Sequence, residues 1–127
     1  MMKEHTLDEA LVSKFEDYVT LFCEKFGVTD WDIGVTTCKG DTGDMAHVSY
    51  LYPARAASIA VDTGYDVSEY EVQESALHEV LHLVMTDLRE AYAQYLPEDE
   101  NVRGRIESME HAVVNRIIHA MRKEYDE

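Results

Sequence analysis

Two histidines, His78 and His82, stand four residues apart with Glu79 directly after the first. Residues four apart lie on one face of an α-helix, so both rings can direct Nε2 to one zinc ion. Zinc lowers the pKa of its bound water toward about 7, and the glutamate between the histidines faces that water rather than the metal. The spacing therefore predicts hydrolysis of an amide bond, with Glu79 as the general base.

A third ligand is expected from the last predicted helix, where Glu107, Glu110 and His111 are the candidates. Glu110 shares a helical row with Ile117 and should face the core, where an unpaired carboxylate is costly unless it binds a metal. We therefore expect Glu110 to be the ligand, and Glu107 and His111 remain alternatives. His111 or Asn115 could instead orient a metal ligand by hydrogen bonding to it, without contacting the metal.

The elements that position these residues follow from the spacing of apolar side chains. A helix is predicted over 7–26, opened by a capping box at Thr6–Glu9 and ended by Gly27. Its apolar positions recur every three or four residues. They are Leu7, Leu11, Phe15, Val19, Phe22 and Phe26.

Between residues 31 and 62 the apolar period changes from about 3.6 to two, which predicts three short strands. Short turns between them suggest an antiparallel meander. The third strand, around 57–61, is expected to be an edge to which an extended peptide adds through main-chain hydrogen bonds.

A second capping box, Ser68–Glu71, opens the helix that carries the two histidines, and Pro97 suits the first turn of the last helix. The order α-β-β-β-α-α predicts a small α+β domain with a three-stranded, mainly antiparallel sheet.

Composition limits the function classes. The chain has 127 residues, 46% of them hydrophobic, which predicts a single domain over 1–127. Its net charge of −15 argues against nucleic acid and membrane surfaces as partners. Cys23 and Cys38 are too few for a disulfide framework, and no secretory signal or membrane-spanning run is found, so we expect a cytoplasmic protein.

The motif of His78, Glu79 and His82, followed 28 residues later by Glu110, resembles the zincin metallopeptidases of the gluzincin branch. In length the chain is similar to the small, prodomain-free minigluzincin-type proteins often found in phages and prophages. The resemblance covers roughly residues 30–121. It implies a zincin-like domain with a three-stranded sheet, an active-site helix and a glutamate-bearing C-terminal helix.

The chain departs from the larger gluzincins in one respect. Their Glu-x-x-x-Asp pattern is missing, because Glu107 is followed four residues later by His111, and Glu110 by Val114. The identity of the third ligand therefore stays open.

The sequence thus predicts zinc-dependent hydrolysis of a peptide or protein substrate. His78, His82 and Glu110 would hold Zn²⁺, and Glu79 would serve as base and then as acid toward the leaving amine. The alternative is a non-catalytic, zincin-fold metal-binding regulator that binds a host protein. Glu79 favours the enzyme, because a structural zinc site has no use for a carboxylate at that position.

Overall fold

The computed structural model describes residues 2–38, 45–62, 68–95 and 98–125. These described residues form three helices and one three-stranded sheet, which confirms the α+β class. The elements are α1 (Met2–Phe26), β1 (Asp32–Cys38), β2 (Ala46–Leu51), β3 (Ala56–Asp62), α2 (Glu69–Ala93) and α3 (Glu100–Tyr125). Two compact units, Met1–Val80 and Leu81–Glu127, are distinguished, and the boundary falls within the continuous helix α2. A single domain over 1–127 stays a prediction.

Helix α1 begins at Met2, so the predicted start at the Thr6 capping box is wrong. Methionine, lysine and glutamate in the preceding segment 2–5 are all good helix formers, and nothing there stops the helix. The predicted apolar face is confirmed where side chains are described. Its buried members are Phe15, Val19 and Phe22.

The end of α1 is a Schellman motif. Gly27 has a φ of 72°, and its N–H donates to the carbonyl of Glu24 at 3.3 Å. The N–H of Val28 donates to the carbonyl of Cys23 at 2.8 Å. Glycine takes this left-handed conformation without a Cβ clash, so the predicted stop at Gly27 is confirmed.

The sheet is mixed and its strand order is β1-β3-β2. β1 pairs with β3 in parallel, from Asp32 opposite Ala56 to Cys38 opposite Asp62. β2 pairs with β3 antiparallel, with Ala46 opposite Val61 at one end. The predicted meander, and with it the mainly antiparallel sheet, is therefore wrong.

The reason for this order lies in β3. Ala57, Ile59 and Val61 are all buried, whereas β1 has no buried residue and β2 only Ala46. The most apolar strand gains most from neighbours on both sides, so it takes the centre. The prediction that this strand is a peptide-binding edge is wrong as well, because both of its sides are paired.

Helix α2 begins with the predicted capping box. The N–H of Glu71 donates to Ser68 Oγ at 3.2 Å, and the N–H of Ser68 donates to Glu71 Oε1 at 3.4 Å. The Ser68 hydroxyl also donates to the same carboxylate oxygen at 3.1 Å. These bonds satisfy backbone donors that the first turn leaves unpaired, and they fix where α2 starts.

Replacing Ser68 by alanine should lower the free energy of unfolding by about 0.5–2 kcal/mol, because the cap to the Glu71 N–H is lost. Urea denaturation of the purified variant measures this. Ser108→Ala makes the same chemical change at an exposed position inside α3 and should be nearly neutral. Equal decreases in the free energy of unfolding of the two variants would contradict a stabilising role of Ser68 as the helix cap.

Helix α3 begins at Glu100 rather than near 97, and Asp99 is its N-cap. Asp99 Oδ1 accepts a hydrogen bond from the N–H of Asn101 at 2.8 Å, and its carbonyl accepts from the N–H of Arg103 at 3.0 Å. Pro97 lies outside the described residues, as does the segment 39–44, where a short turn between the first two strands was predicted. In the described part of the chain, no helix combines the length and apolar character needed to cross a membrane.

Candidate metal centre

Helix α2 carries the predicted motif. His78 and His82 are half-buried and one helical turn apart, and Glu79 is buried with 5% of its surface exposed. Although the boundary between the two compact units follows Val80, the helix runs through it without a break. Its orientation is fixed by apolar neighbours that are wholly buried. These are Leu77, Val80 and Leu81.

His82 is held from behind by Glu110 of α3. Nδ1 of His82 and Oε2 of Glu110 are 2.7 Å apart, and the Glu110 side chain is 5% exposed. Because a carboxylate accepts hydrogen bonds, Nδ1 is the donor in this contact, and Nε2 is the ring nitrogen that could bind a metal. The sequence predicted a buried Glu110, and the structure confirms that burial.

His111 is oriented in the same way by a different acceptor. Its Nδ1 lies 2.9 Å from the backbone carbonyl oxygen of Glu107, one turn earlier in α3. Because a carbonyl oxygen only accepts, Nδ1 is the protonated nitrogen here too, and Nε2 is the nitrogen suited to a metal. The rings of His82 and His111 meet edge to face, with centroids 4.9 Å apart.

Among the described residues, His78, His82 and His111 form a group that could hold a metal ion. Each offers one ring nitrogen, and these three atoms lie within 4.8 Å of one another. Nitrogen ligands of a tetrahedral zinc ion stand about 3.3 Å apart, so small side-chain rotations would close the group around an ion. Three imidazoles suit zinc but also copper, iron and nickel.

Arg89 of α2 contacts the second oxygen of the Glu110 carboxylate. Its Nε lies 3.6 Å from Glu110 Oε1, and one of its terminal nitrogens lies 3.6 Å from Glu107 Oε1. Each oxygen of the buried Glu110 carboxylate therefore has a different partner, Arg89 for Oε1 and His82 for Oε2.

Of the third-ligand candidates, His111 joins the described histidine group, and Glu110 instead contacts the back of His82. Glu107 contributes its carbonyl to His111, and its side chain is 63% exposed. That Glu110 binds the metal directly stays a prediction.

Two residues that support the motif were not predicted from the sequence. Arg89 lies seven residues after His82, two turns along the same face, and that spacing could have identified it. Thr86 is buried, and its hydroxyl donates to the His82 carbonyl at 3.0 Å. This bond satisfies a polar group that would otherwise be costly to bury.

Three imidazoles, one of them hydrogen-bonded to a carboxylate, are a donor set that could hold a metal ion. Comparisons with models of protein families, with curated proteins and with solved structures find no match to this chain.

Proposed function

We propose that the protein binds a zinc ion through His78, His82 and His111 and hydrolyses a peptide bond with Glu79 as the general base. The observation that carries the proposal is the hydrogen bonding of the histidine rings. In two of the three, Nδ1 lies within hydrogen-bond distance of an oxygen acceptor, so Nε2 is the ring nitrogen that would bind a metal. Metal-binding histidines are usually oriented in this way.

A zincin-like domain of the gluzincin type is part of this proposal, with one revision. The resemblance implies Glu110 as a ligand. In this proposal Glu110 would instead accept a hydrogen bond from His82 Nδ1, and His111 would be the third ligand. The 2.7 Å contact between Glu110 and His82 and the histidine group within 4.8 Å support this arrangement.

Glu79 supports a hydrolytic rather than a structural role. It is a buried carboxylate on α2, next to one proposed ligand and one turn before another. When bound, zinc supplies Lewis acidity and lowers the pKa of water toward about 7. The Glu79 carboxylate would accept a proton from the attacking water and pass it to the leaving amine nitrogen as the C–N bond breaks.

Metal binding is the part of this proposal to test first. Purified protein equilibrated with Zn²⁺ and then desalted should hold one zinc ion per chain, as measured by elemental analysis. Because zinc would bind the folded state, free zinc at 100 times its dissociation constant should stabilise the protein by about 2.7 kcal/mol, and a chelator should reverse this. Thermal denaturation with and without zinc measures the shift.

His82→Ala should remove the bound zinc and the zinc-dependent shift in melting temperature. The control is His119→Ala, which replaces an exposed histidine of α3 that lies outside the group. It should leave both unchanged. If the parent holds no zinc, or if the two variants lose zinc equally, the metal site is wrong.

A further inference from the structure

We infer that Arg89 is a positioning residue that decides which side chain completes the metal site. By holding Glu110 against His82, it keeps that carboxylate out of the ligand set and leaves the third position to His111. The inference rests on the proposed metal site and adds the choice between an all-histidine site and a site of two histidines and a carboxylate.

The geometry of Glu110 carries this inference. Its Oε2 lies 2.7 Å from His82 Nδ1, and its Oε1 lies 3.6 Å from Arg89 Nε. The Glu110 side chain is 5% exposed and that of Arg89 is 32% exposed, so this ion pair is only partly screened by water. To become a ligand, the carboxylate would have to leave one or both of these partners.

Arg89 is itself held in place by a second carboxylate. One of its terminal nitrogens lies 3.6 Å from Glu107 Oε1, one turn before Glu110 in α3. A guanidinium can face two acceptors at once because its five N–H groups are fixed in one plane. Removing the cation would take away one of the two contacts of Glu110, and a rotation of its side chain would then bring the carboxylate toward the place of the proposed ligand His111, the next residue in α3.

A double-mutant cycle tests this on the full-length protein. Zinc affinity is measured by competition with a chromophoric chelator for the parent, His111→Ala, Arg89→Gln and the double variant. With Arg89 present, His111→Ala should lower the zinc affinity because a ligand is lost. The decrease should exceed the roughly 10- to 100-fold that is typical when a residue hydrogen-bonded to a ligand is removed. In the Arg89→Gln background, the decrease in zinc affinity caused by His111→Ala should be at least about tenfold smaller, because Glu110 can replace the imidazole as a ligand.

Two further arms separate this effect from a general loss of structure. Adding Glu110→Gln to the double variant should abolish the recovered affinity, because the replacing ligand is then gone. Arg89→Lys keeps a cation beside Glu110. In that background, His111→Ala should again lower the zinc affinity nearly as much as it does in the parent. With Co²⁺ in place of zinc, the visible absorption bands of the double variant should lie at longer wavelength than those of the parent, because a carboxylate is a weaker-field ligand than imidazole.

Each outcome decides between the two proposals. A parent that binds no zinc would overturn the metal site and this inference with it. A parent that binds zinc, with the same cost for His111→Ala whether Arg89 is present or not, would overturn only the role of Arg89. Arg89→Met replaces Arg89→Gln if the glutamine variant does not fold.

Discussion

Glu79→Gln should lower the rate of peptide hydrolysis by about 100- to 10,000-fold, the usual contribution of general acid–base catalysis. Glutamine keeps the shape of the buried side chain but cannot accept the proton of the attacking water. The assay is cleavage of a broad peptide library near neutral pH by zinc-loaded protein. Zinc content and melting temperature should hardly change, because Glu79 is proposed to act on water and not on the metal.

The matched control is Glu74→Gln, which makes the same change at a half-buried position on the same helix and should keep the parental rate. Loss of zinc from the Glu79 variant would make Glu79 a ligand and would refute the proposed mechanism. If the zinc-loaded parent cleaves no peptide in the library, the metal-binding regulator becomes the better hypothesis.

Ile59→Ala should lower the free energy of unfolding by about 2–5 kcal/mol, the cost of emptying a filled core position. Ile59 has no exposed surface, and in the central strand it stands opposite Val35 on one side and Val48 on the other. Alanine would leave a void between two neighbours held apart by the sheet hydrogen bonds. Urea denaturation followed by circular dichroism measures the loss.

Leu51→Ala is the control for this prediction. Leu51 is a large apolar residue at the end of β2, but it is 68% exposed, so its truncation should change the stability by no more than about 0.5 kcal/mol. A loss below about 1 kcal/mol for Ile59→Ala would mean that β3 is not the centre of the packed sheet.

Most of the secondary structure could be predicted because its determinants are local. The alternation of Ile33 and Val35 with polar residues marks β1, and Ser68 and Glu71 start α2 by bonding each other. The order of the strands could not be predicted in this way. Whether β1 pairs with β2 or with β3 depends on which strand gains most from burial on both sides, and that is a property of the whole sheet.

The candidate site likewise has a part that follows from local sequence spacing and a part that depends on packing. The pair His78 and His82 follows from helical spacing alone, and the burial of Glu110 follows from its place on an apolar row. The third ligand does not, because Glu110 and His111 are adjacent and point about 100° apart around α3. A rotation of α3 by one residue would exchange their roles, and such a rotation is set by packing rather than by sequence spacing.

The central position of β3 also has a consequence for the order of folding during synthesis. β1 and β2 do not pair with each other, so a nascent chain that has released only these two strands has no sheet to form. The local β2–β3 hairpin can close as soon as β3 emerges, whereas the β1–β3 pairing joins residues 24 positions apart, such as Asp32 and Ala56. Since closing the longer loop costs more chain entropy, β1 should be the last strand to join the sheet, although the ribosome makes it first.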